Sequence, residues 1–161
     1  MMMLLFKVNG DRYGVDVTDV VEVVPCVPLQ KLPKSPANIA GLLNYRGSVI
    51  PVINGSILIG GQGVRPCLSS RIIMLRLENI RFSCIGLLAE SVTETIRIDD
   101  DRFTATGLTD GGVSLVDKIV LDDGGMIQHI NLKELIPNDV KNFMKEIKSG
   151  EVMSGGILNG S

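Results

Sequence analysis

The chain has little of what metal enzymes and nucleic-acid-binding proteins use. Its 161 residues include one histidine, three cysteines and no tryptophan, and aromatic residues make up only 4%. A single histidine and scattered cysteines do not form a zinc-ligand cluster at a workable spacing. Sixteen basic and eighteen acidic residues give a net charge of −2, with no basic run that could follow a phosphate backbone. We therefore expect no metal, no cofactor and no nucleic-acid partner.

Paired cysteines and long apolar runs are also missing. Cys26, Cys67 and Cys84 are odd in number and far apart, which is typical of free thiols in a reducing compartment. The apolar start, residues 1–8, is too short to span a bilayer and has no basic region before it. Hydrophobic residues at 45% and charged ones at 21% exclude disorder over most of the length. We expect one cytoplasmic domain with an aliphatic core and no membrane insertion.

Short apolar runs separated by turn signals predict strands. Runs at 3–8 and 12–17 flank Asn9-Gly10, which predicts a β-hairpin with a type I′ turn, because that turn needs positive φ at both central residues. A helical turn capped by Asp16 or Thr18 should follow. Further strands are predicted over 71–77, 81–88, 92–98, 113–121 and 126–130. A spacing of about 8 to 12 residues is typical of an all-β barrel or sandwich.

The remaining segments carry more varied patterns. A short helical turn is predicted over 37–43. The β-run at 47–54 contains Pro51, which cannot donate to a ladder, so this strand should lie at a sheet edge or carry a bulge. A short amphipathic helix is predicted over 138–147, and its apolar face consists of Val140, Phe143, Met144 and Ile147. Residues 148–161 contain four glycines and three serines and are predicted to be a disordered tail.

The sequence contains an internal repeat. Three pairs of segments match in the same order, and they are 5–13 with 74–82, 20–22 with 92–94, and 49–54 with 126–131. Each half therefore carries a hairpin, then a Val-x-Glu strand, then a strand that ends in asparagine. Three ordered matches over halves of about 70 residues are better explained by duplication than by chance. The repeat predicts two small barrels packed on each other, each closed to limit exposed edges.

The polar clusters predict turns rather than active sites. The run 99–101 lacks the alternating ligands and turn glycine that a hard metal ion needs, and 122–125 reads as an acidic hairpin turn. The glycine run 60–63 lacks the Gly-Lys-Ser/Thr of a phosphate loop. His129 lies in a predicted strand beside isoleucines, where a structural or surface role is expected. No catalytic residue is predicted, so we expect the chain not to be an enzyme.

One segment, 41–53, is not explained by packing alone. Asn44, Arg46 and Gly47 form a polar turn between two apolar stretches, so a guanidinium is held on a rigid hairpin. The turn can be an ordinary connection between strands. It can also be a recognition surface, since arginine is enriched in protein interfaces for its planar, multi-donor head. Spacing alone leaves both interpretations open.

At this segment the sequence resembles the CheW family, the coupling proteins of bacterial chemosensory arrays. The most specific feature is the string Asn44-Tyr45-Arg46-Gly47-Ser48-Val49-Ile50-Pro51-Val52-Ile53. Other matching segments are Tyr13-Gly14-Val15-Asp16, Val20-Val21-Glu22-Val23, residues 36–41, Ile85-Gly86-Leu87-Leu88 and Val92. The resemblance covers most of residues 3–137, and the order of its motifs makes accident improbable.

The resemblance implies an all-β fold of two pseudo-repeated, five-stranded SH3-like β-barrels with a hydrophobic groove between them and a short C-terminal helix. The CheW-like domain would cover 1–147, with the first barrel mainly at 15–70 and the second mainly at 71–136. The implied function is a non-enzymatic adaptor between the regulatory domain of a CheA-type histidine kinase and the cytoplasmic tip of methyl-accepting receptors. Such an adaptor is cytoplasmic and recruited to membrane receptor arrays. Residues 88–95 are further similar to adaptors of Wsp-type surface-sensing pathways.

By position, several residues match those that the family uses around its receptor and kinase contacts. The predicted partner-binding residues are Val20, Glu22, Gly41, Asn44, Arg46, Gly47, Val49 and Val52. Glu22 and Arg46 are expected to form an exposed ion pair beside the groove. The three valines of the set could take up a receptor helix through its apolar face. They could also be barrel core, because strand alternation cannot put every one of them outward.

The chain departs from the family pattern at two neighbouring positions. Asn54 and Gly55 stand where the family usually has aspartate and leucine, so we expect the turn into the following helix to differ. Two other functions are open. The chain can be a detached regulatory docking module of a related kinase pathway, since CheA kinases end in the same fold. A small β-barrel ligand-binding protein would need clustered polar groups in a pocket, and the sequence shows none.

Overall fold

The computed structural model describes residues 1–63, 68–77, 84–106, 115–136 and 138–148. The strands within these residues are β1 (Met2–Val8), β2 (Asp11–Asp16), β3 (Val20–Pro25), β4 (Ile39–Tyr45), β5 (Ser48–Asn54), β6 (Arg71–Arg76), β7 (Cys84–Ala89), β8 (Ser91–Arg97), β9 (Thr104–Ala105), β10 (Val116–Asp122) and β11 (Gly125–Ile130). The α-helices are α1 (Gly55–Leu58) and α2 (Asn138–Lys148), and 3₁₀ turns cover Val17–Asp19, Asp100–Arg102 and Leu132–Glu134.

The strands form two sheets. Sheet A has six strands in the order β8-β1-β2-β11-β10-β9, and sheet B has five in the order β3-β6-β7-β5-β4. The predicted all-β class with two sheets and a short C-terminal helix is confirmed. Sheet A exceeds the predicted five strands because the two-residue β9 pairs with β10. The predicted strands at 81–88 and 113–121 lie partly outside the described residues, and the predicted tail lies outside them from residue 149 onward.

The internal repeat is visible in the order of the strands. The matching of the two halves equates β1–β2 with β6–β7, β3 with β8, and β4–β5 with β10–β11. Sheet B then has the same order as sheet A without β9. Each sheet takes its central hairpin from one half and its outer strands from the other, joined through the parallel pairs β2–β11 and β5–β7. The predicted division near residue 70 therefore does not coincide with the sheets, since β6 and β7 lie with β3–β5.

The N-terminal hairpin has the predicted turn. Asn9 and Gly10 have φ values of 54° and 80°, the pair of positive angles that a type I′ turn requires. The 3₁₀ turn that follows is capped by Asp16, whose carboxylate accepts a hydrogen bond from the Thr18 amide at 2.9 Å. Both predictions are confirmed, because each depends on neighbouring residues only.

The predicted helical turn at 37–43 is wrong. These residues lead into β4, which pairs with β5 over most of its length. Leu42 and Gln30 also exchange backbone hydrogen bonds of 2.9 and 2.7 Å on the other side of the strand. Ile39 and Leu42 are buried. Pairing and burial therefore outweigh the local helical preference of this segment.

The proline in β5 does not place that strand at an edge. β5 lies between β7 and β4 inside sheet B, so the predicted edge position is wrong. The register with β7 begins at Val52, so this ladder starts directly after the residue that lacks an N–H. The register shift in this hairpin falls on β4, between Ile39 and Gly41.

Aliphatic side chains form three clusters that hold the sheets together. Met3, Leu5, Ile98, Val120 and Ile127 form the inner cluster of sheet A. Leu43, Ile50, Val52, Ile72, Met74, Cys84 and Leu88 form the inner cluster of sheet B. The largest, the inter-sheet cluster, combines residues of both sheets with Val140, Phe143 and Met144 of α2, which confirms the predicted apolar face for these three. The Ile147 side chain is outside the described set. None of the helices described here is long and apolar enough to cross a bilayer.

An ion pair joins the N-terminal hairpin to the outer strands of sheet A. Both terminal nitrogens of Arg12 on β2 donate to the carboxylate of Asp122 on β10, at 2.6 and 2.8 Å. Asp122 also accepts a hydrogen bond from the Gly124 amide at 2.8 Å. The hydrogen bonds from Arg12 lower the pKa of Asp122 from 3.8 to about 2. The pair therefore stabilises sheet A at the place where a hairpin of the first half lies beside strands of the second half.

We expect Asp122→Asn to destabilise the protein at neutral pH by about 1–2 kcal/mol, because Arg12 loses a charged, bidentate partner. Since the pKa of Asp122 is lowered on folding, its contribution is complete above about pH 4 and is lost as the pH falls towards 2. Urea unfolding of both proteins across this range measures the difference in free energy. A difference that stayed constant down to pH 2 would contradict the ion pair as its cause.

Candidate functional site

A tight turn projects polar side chains from one end of sheet B. Arg46 and Gly47 join β4 to β5 with φ values of 52° and 83°, and Tyr45 faces Ser48 across the turn. Two central residues with positive φ make this a type I′ turn, and glycine adopts the second position without strain. Asn44 and Arg46 are exposed here. The predicted polar turn is therefore present.

Glu22 on β3 lies beside this turn. Arg46 Nη2 donates to Glu22 Oε2 at 2.7 Å, and the two side chains are 75% and 34% exposed. The Tyr45 hydroxyl donates to the same carboxylate oxygen. The expected ion pair is thus present, with a tyrosine added to it. Because β3 and β4 are opposite edges of sheet B, Glu22, Tyr45 and Arg46 join those edges, and we call these three residues the edge cluster.

Tyr45 connects the two charged members of the edge cluster. Glu22 accepts the hydrogen bond of the phenol and raises the pKa of Tyr45, because this bond favours the neutral phenol. The guanidinium carbon of Arg46 lies 5.1 Å from the centre of the Tyr45 ring, within the range of a cation–π contact. An exposed ion pair contributes only about 0–1 kcal/mol to stability. The cluster therefore orients surface groups more than it stabilises the fold.

The structure separates the three valines predicted to line a groove. Val52 has no exposed surface and belongs to the inner cluster of sheet B, as the barrel-core alternative expected. Val20 and Val49 are half-buried and pack against the inter-sheet cluster. Residues 49 and 52 lie on opposite faces of β5 by strand alternation. Of the three valines, Val20 and Val49 therefore lie at the rim of the space between the sheets and Val52 does not.

Gly41 is a packing residue and not a surface residue. It is buried, and a Cβ on this residue would lie 2.6 Å from Leu29 Cβ, closer than side chains approach. The segment that contains Leu29 runs antiparallel to β4 at this point and is held to it by the Gln30–Leu42 backbone hydrogen bonds. Gly41 therefore supports β4 below the turn, and its predicted part in partner binding remains a prediction. Asn44, Arg46 and Gly47 are exposed at the turn itself.

Two residues of this surface were not predicted. The hydroxyl of Tyr45 reaches Glu22 from 23 positions away, a contact that depends on how sheet B curls. Val21 is 39% exposed, because the register of β3 with β6 shifts between Val20 and Glu22. A β-bulge has no signature in the composition of one strand. For Tyr45 the available signal was an aromatic residue with a polar end directly before an arginine.

The two departures from the family pattern both have a structural role. Asn54 Oδ1 accepts a hydrogen bond from the Ser56 amide at 3.1 Å and caps α1, as an aspartate would. A Cβ on Gly55 would lie 2.8 Å from the backbone oxygen of Leu88. The glycine therefore allows β7 to approach the start of α1, and a leucine does not fit there.

The lone histidine lies away from the edge cluster. His129 Nδ1 is 2.7 Å from Asp117 Oδ1 on the neighbouring β10, and the Phe103 ring packs edge-on against the imidazole. In the part of the chain that the structure describes, no three or more His, Cys, Asp or Glu side chains are grouped so that they could hold a metal ion. The edge cluster, by contrast, brings three polar side chains together at the surface.

Comparison with known proteins gives consistent results. A family model described as a CheW-like domain matches residues 2–140. The chain is 24% identical over 139 residues to "Chemotaxis protein CheW" of Rhizobium meliloti (strain 1021), with 85% of this chain and 88% of that protein covered. Its structure is similar to the crystal structure of the scaffolding protein TtCheW from Thermoanaerobacter tengcongensis, with a TM-score of 0.75, 31% identity, and 86% of this chain and 94% of that chain covered.

Proposed function

The chain belongs to the family of CheW-like domains, and from this we propose that it is a non-enzymatic adaptor that couples methyl-accepting chemoreceptors to a CheA-type histidine kinase. The observation that carries the proposal is the edge cluster, which presents Arg46 on a rigid turn within the string that most resembles the family. The names of the two similar proteins, a chemotaxis protein and a scaffolding protein, support a role in assembly rather than catalysis.

Two surfaces of this chain suit two partners. The turn with Asn44, Arg46 and Gly47 offers a planar guanidinium with several donors, which suits polar groups on the regulatory domain of the kinase. Val20 and Val49 lie at the rim between the sheets, where the apolar face of a receptor helix can pack. The two surfaces are adjacent, because Val20 precedes Glu22 on β3 by two residues. One adaptor can therefore hold both partners close together.

The proposed partners also define a place in the cell. A receptor tip and a kinase regulatory domain both lie in the cytoplasm, so the adaptor works there and is recruited to membrane receptor arrays. No part of this role requires a cofactor. The Wsp-type output that residues 88–95 indicate remains a prediction from the sequence.

The test is binding of the full chain to the C-terminal half of a candidate CheA-type kinase and to a receptor cytoplasmic fragment from the same organism. We expect micromolar affinity for both partners. We expect Arg46→Ala to weaken binding to the kinase fragment about tenfold or more, because it removes the donors of the turn. Its melting temperature should change by only about 2–4 °C, since the lost ion pair contributes about 1 kcal/mol or less.

A matched control is Arg97→Ala, which removes an exposed arginine from β8, the strand that corresponds to β3 in the other half of the repeat. It should bind both partners as the natural chain does. Equal losses for the two variants would show a nonspecific effect of charge. Normal binding by Arg46→Ala would remove Arg46 from the site, and binding of the natural chain to neither partner would disprove the adaptor function.

A further inference from the structure

Tyr45 combines the contacts of a core residue with those of a surface residue. It ends β4 directly before the turn, and its half-buried ring packs against the inner cluster of sheet B. From this position its hydroxyl donates to Glu22 Oε2, the oxygen that also accepts from Arg46. The face of the same ring lies beneath the Arg46 guanidinium at 5.1 Å. One side chain therefore contacts both charged members of the edge cluster.

This arrangement limits the conformational freedom of the Glu22 and Arg46 side chains. Glutamate and arginine are among the side chains that lose the most conformational entropy when they are held in one rotamer, and an exposed ion pair between them offsets only part of that loss. Glu22 and Arg46 on their own would therefore sample many orientations. A tyrosine has two χ angles, and the ring of Tyr45 is fixed by its packing. Contact with a fixed ring and hydroxyl restricts both neighbours before any partner arrives.

We propose that Tyr45 is a positioning residue that holds Glu22 and Arg46 in the orientation in which Arg46 meets the partner. The inference rests on the proposed adaptor function, because it concerns the same surface. Tyr45 acts through its neighbours, since its ring faces the sheet and the guanidinium and its hydroxyl is engaged by Glu22. Preorganisation of this kind increases affinity by lowering the cost of ordering side chains on binding.

The first test concerns geometry and needs no partner. The chain has two tyrosines, so Tyr13→Phe leaves Tyr45 as the only phenol that ionises in an ultraviolet titration. We expect the pKa of Tyr45 to lie above 10, because the carboxylate of Glu22 favours the neutral phenol. Glu22→Gln in the same background should lower it towards its ordinary value, since an amide carries no charge. A pKa that Glu22→Gln leaves unchanged would overturn the hydrogen bond and the proposal with it.

The second test separates positioning from direct contact. Tyr45→Phe removes one oxygen and keeps the ring, and we expect it to weaken binding to the kinase fragment about three- to tenfold. In the Arg46→Ala background the same change should have no further effect, because the residue that Tyr45 orients is already absent. Tyr13→Phe is the matched control, because it removes the other phenolic hydroxyl of the chain, which lies on β2 of sheet A. It should bind as the natural chain does.

Each outcome of this cycle has a definite meaning. A loss of equal size in both backgrounds would show that the hydroxyl acts without Arg46 and would overturn the proposal. Normal binding by Tyr45→Phe, with binding still weakened by Arg46→Ala, would overturn the positioning role and leave the adaptor function intact. Normal binding by Arg46→Ala would overturn both, while the phenol titration would still report the hydrogen bond.

Discussion

Val52→Asp is expected to unfold the chain, whereas Val20→Asp is expected to leave it folded. Val52 has no exposed surface, and one of its methyl groups lies 2.9 Å from where a Cβ on Gly86 would stand. The space around the side chain is therefore already filled by the inner cluster of sheet B. An unpaired carboxylate in such a position costs several kcal/mol, and a domain of this kind has only about 5–15 kcal/mol of stability.

Val20 is in a different environment on the same sheet. It is half-buried on β3, an edge strand, directly before the register shift that turns Val21 outward. A carboxylate at position 20 can reach water there, so we expect a loss of only about 1–2 kcal/mol. Binding of a receptor fragment should fall strongly, because a charge now lies where the apolar face of a helix would pack.

Circular dichroism melting of both variants, followed by binding of the folded one to the receptor fragment, measures these effects. Val20→Thr is the control for polarity without charge, because it replaces one methyl group with a hydroxyl of similar size. A folded and cooperative Val52→Asp would contradict the burial of that residue. An unfolded Val20→Asp would mean that Val20 is also core, and normal receptor binding by a folded Val20→Asp would remove it from the binding surface.

Much of the fold could be predicted because it depends on local chemistry or on the repeat. The turn at Asn9-Gly10 and the cap at Asp16 involve adjacent residues only. The all-β class followed from the spacing of apolar runs, and the doubling of the sheets followed from three ordered matches between the halves. The helix α2 was predicted from the spacing of residues such as Val140 and Phe143, which are buried as expected.

The features that could not be predicted are set by contacts between distant segments. The exchange of hairpins depends on which strand lies beside β2 and β5, and one sequence carries no record of partners in parallel pairs. Residues 39–43 of the predicted helical turn form part of β4 instead, because β5 pairs with them. At the site, the Glu22–Arg46 pair was expected from a resemblance and is present. Tyr45 was not, because its contact with Glu22 exists only when β3 and β4 meet.

Exchange of the two charges of the edge cluster is expected to separate its structural role from its role in binding. Arg46→Glu places two carboxylates beside each other on β3 and the turn, and Glu22→Arg places two guanidinium groups there. Each single reversal should weaken binding to the kinase fragment about thirtyfold or more, the range of a residue that dominates an interface. The melting temperature should fall by only about 2–4 °C, because the site is exposed.

The double exchange, Glu22→Arg with Arg46→Glu, restores an ion pair of opposite polarity. We expect the melting temperature to recover, since an attraction across the same edges is present again, and binding to remain as weak as in the single reversals. The reason is geometric: the guanidinium now extends from β3, whereas a partner meets the one held on the turn over the Tyr45 ring. Recovery of binding by the double exchange would instead show that partners require only an intact pair between β3 and β4. In that case Arg46 would act by joining the two edges of sheet B rather than by direct contact with a partner.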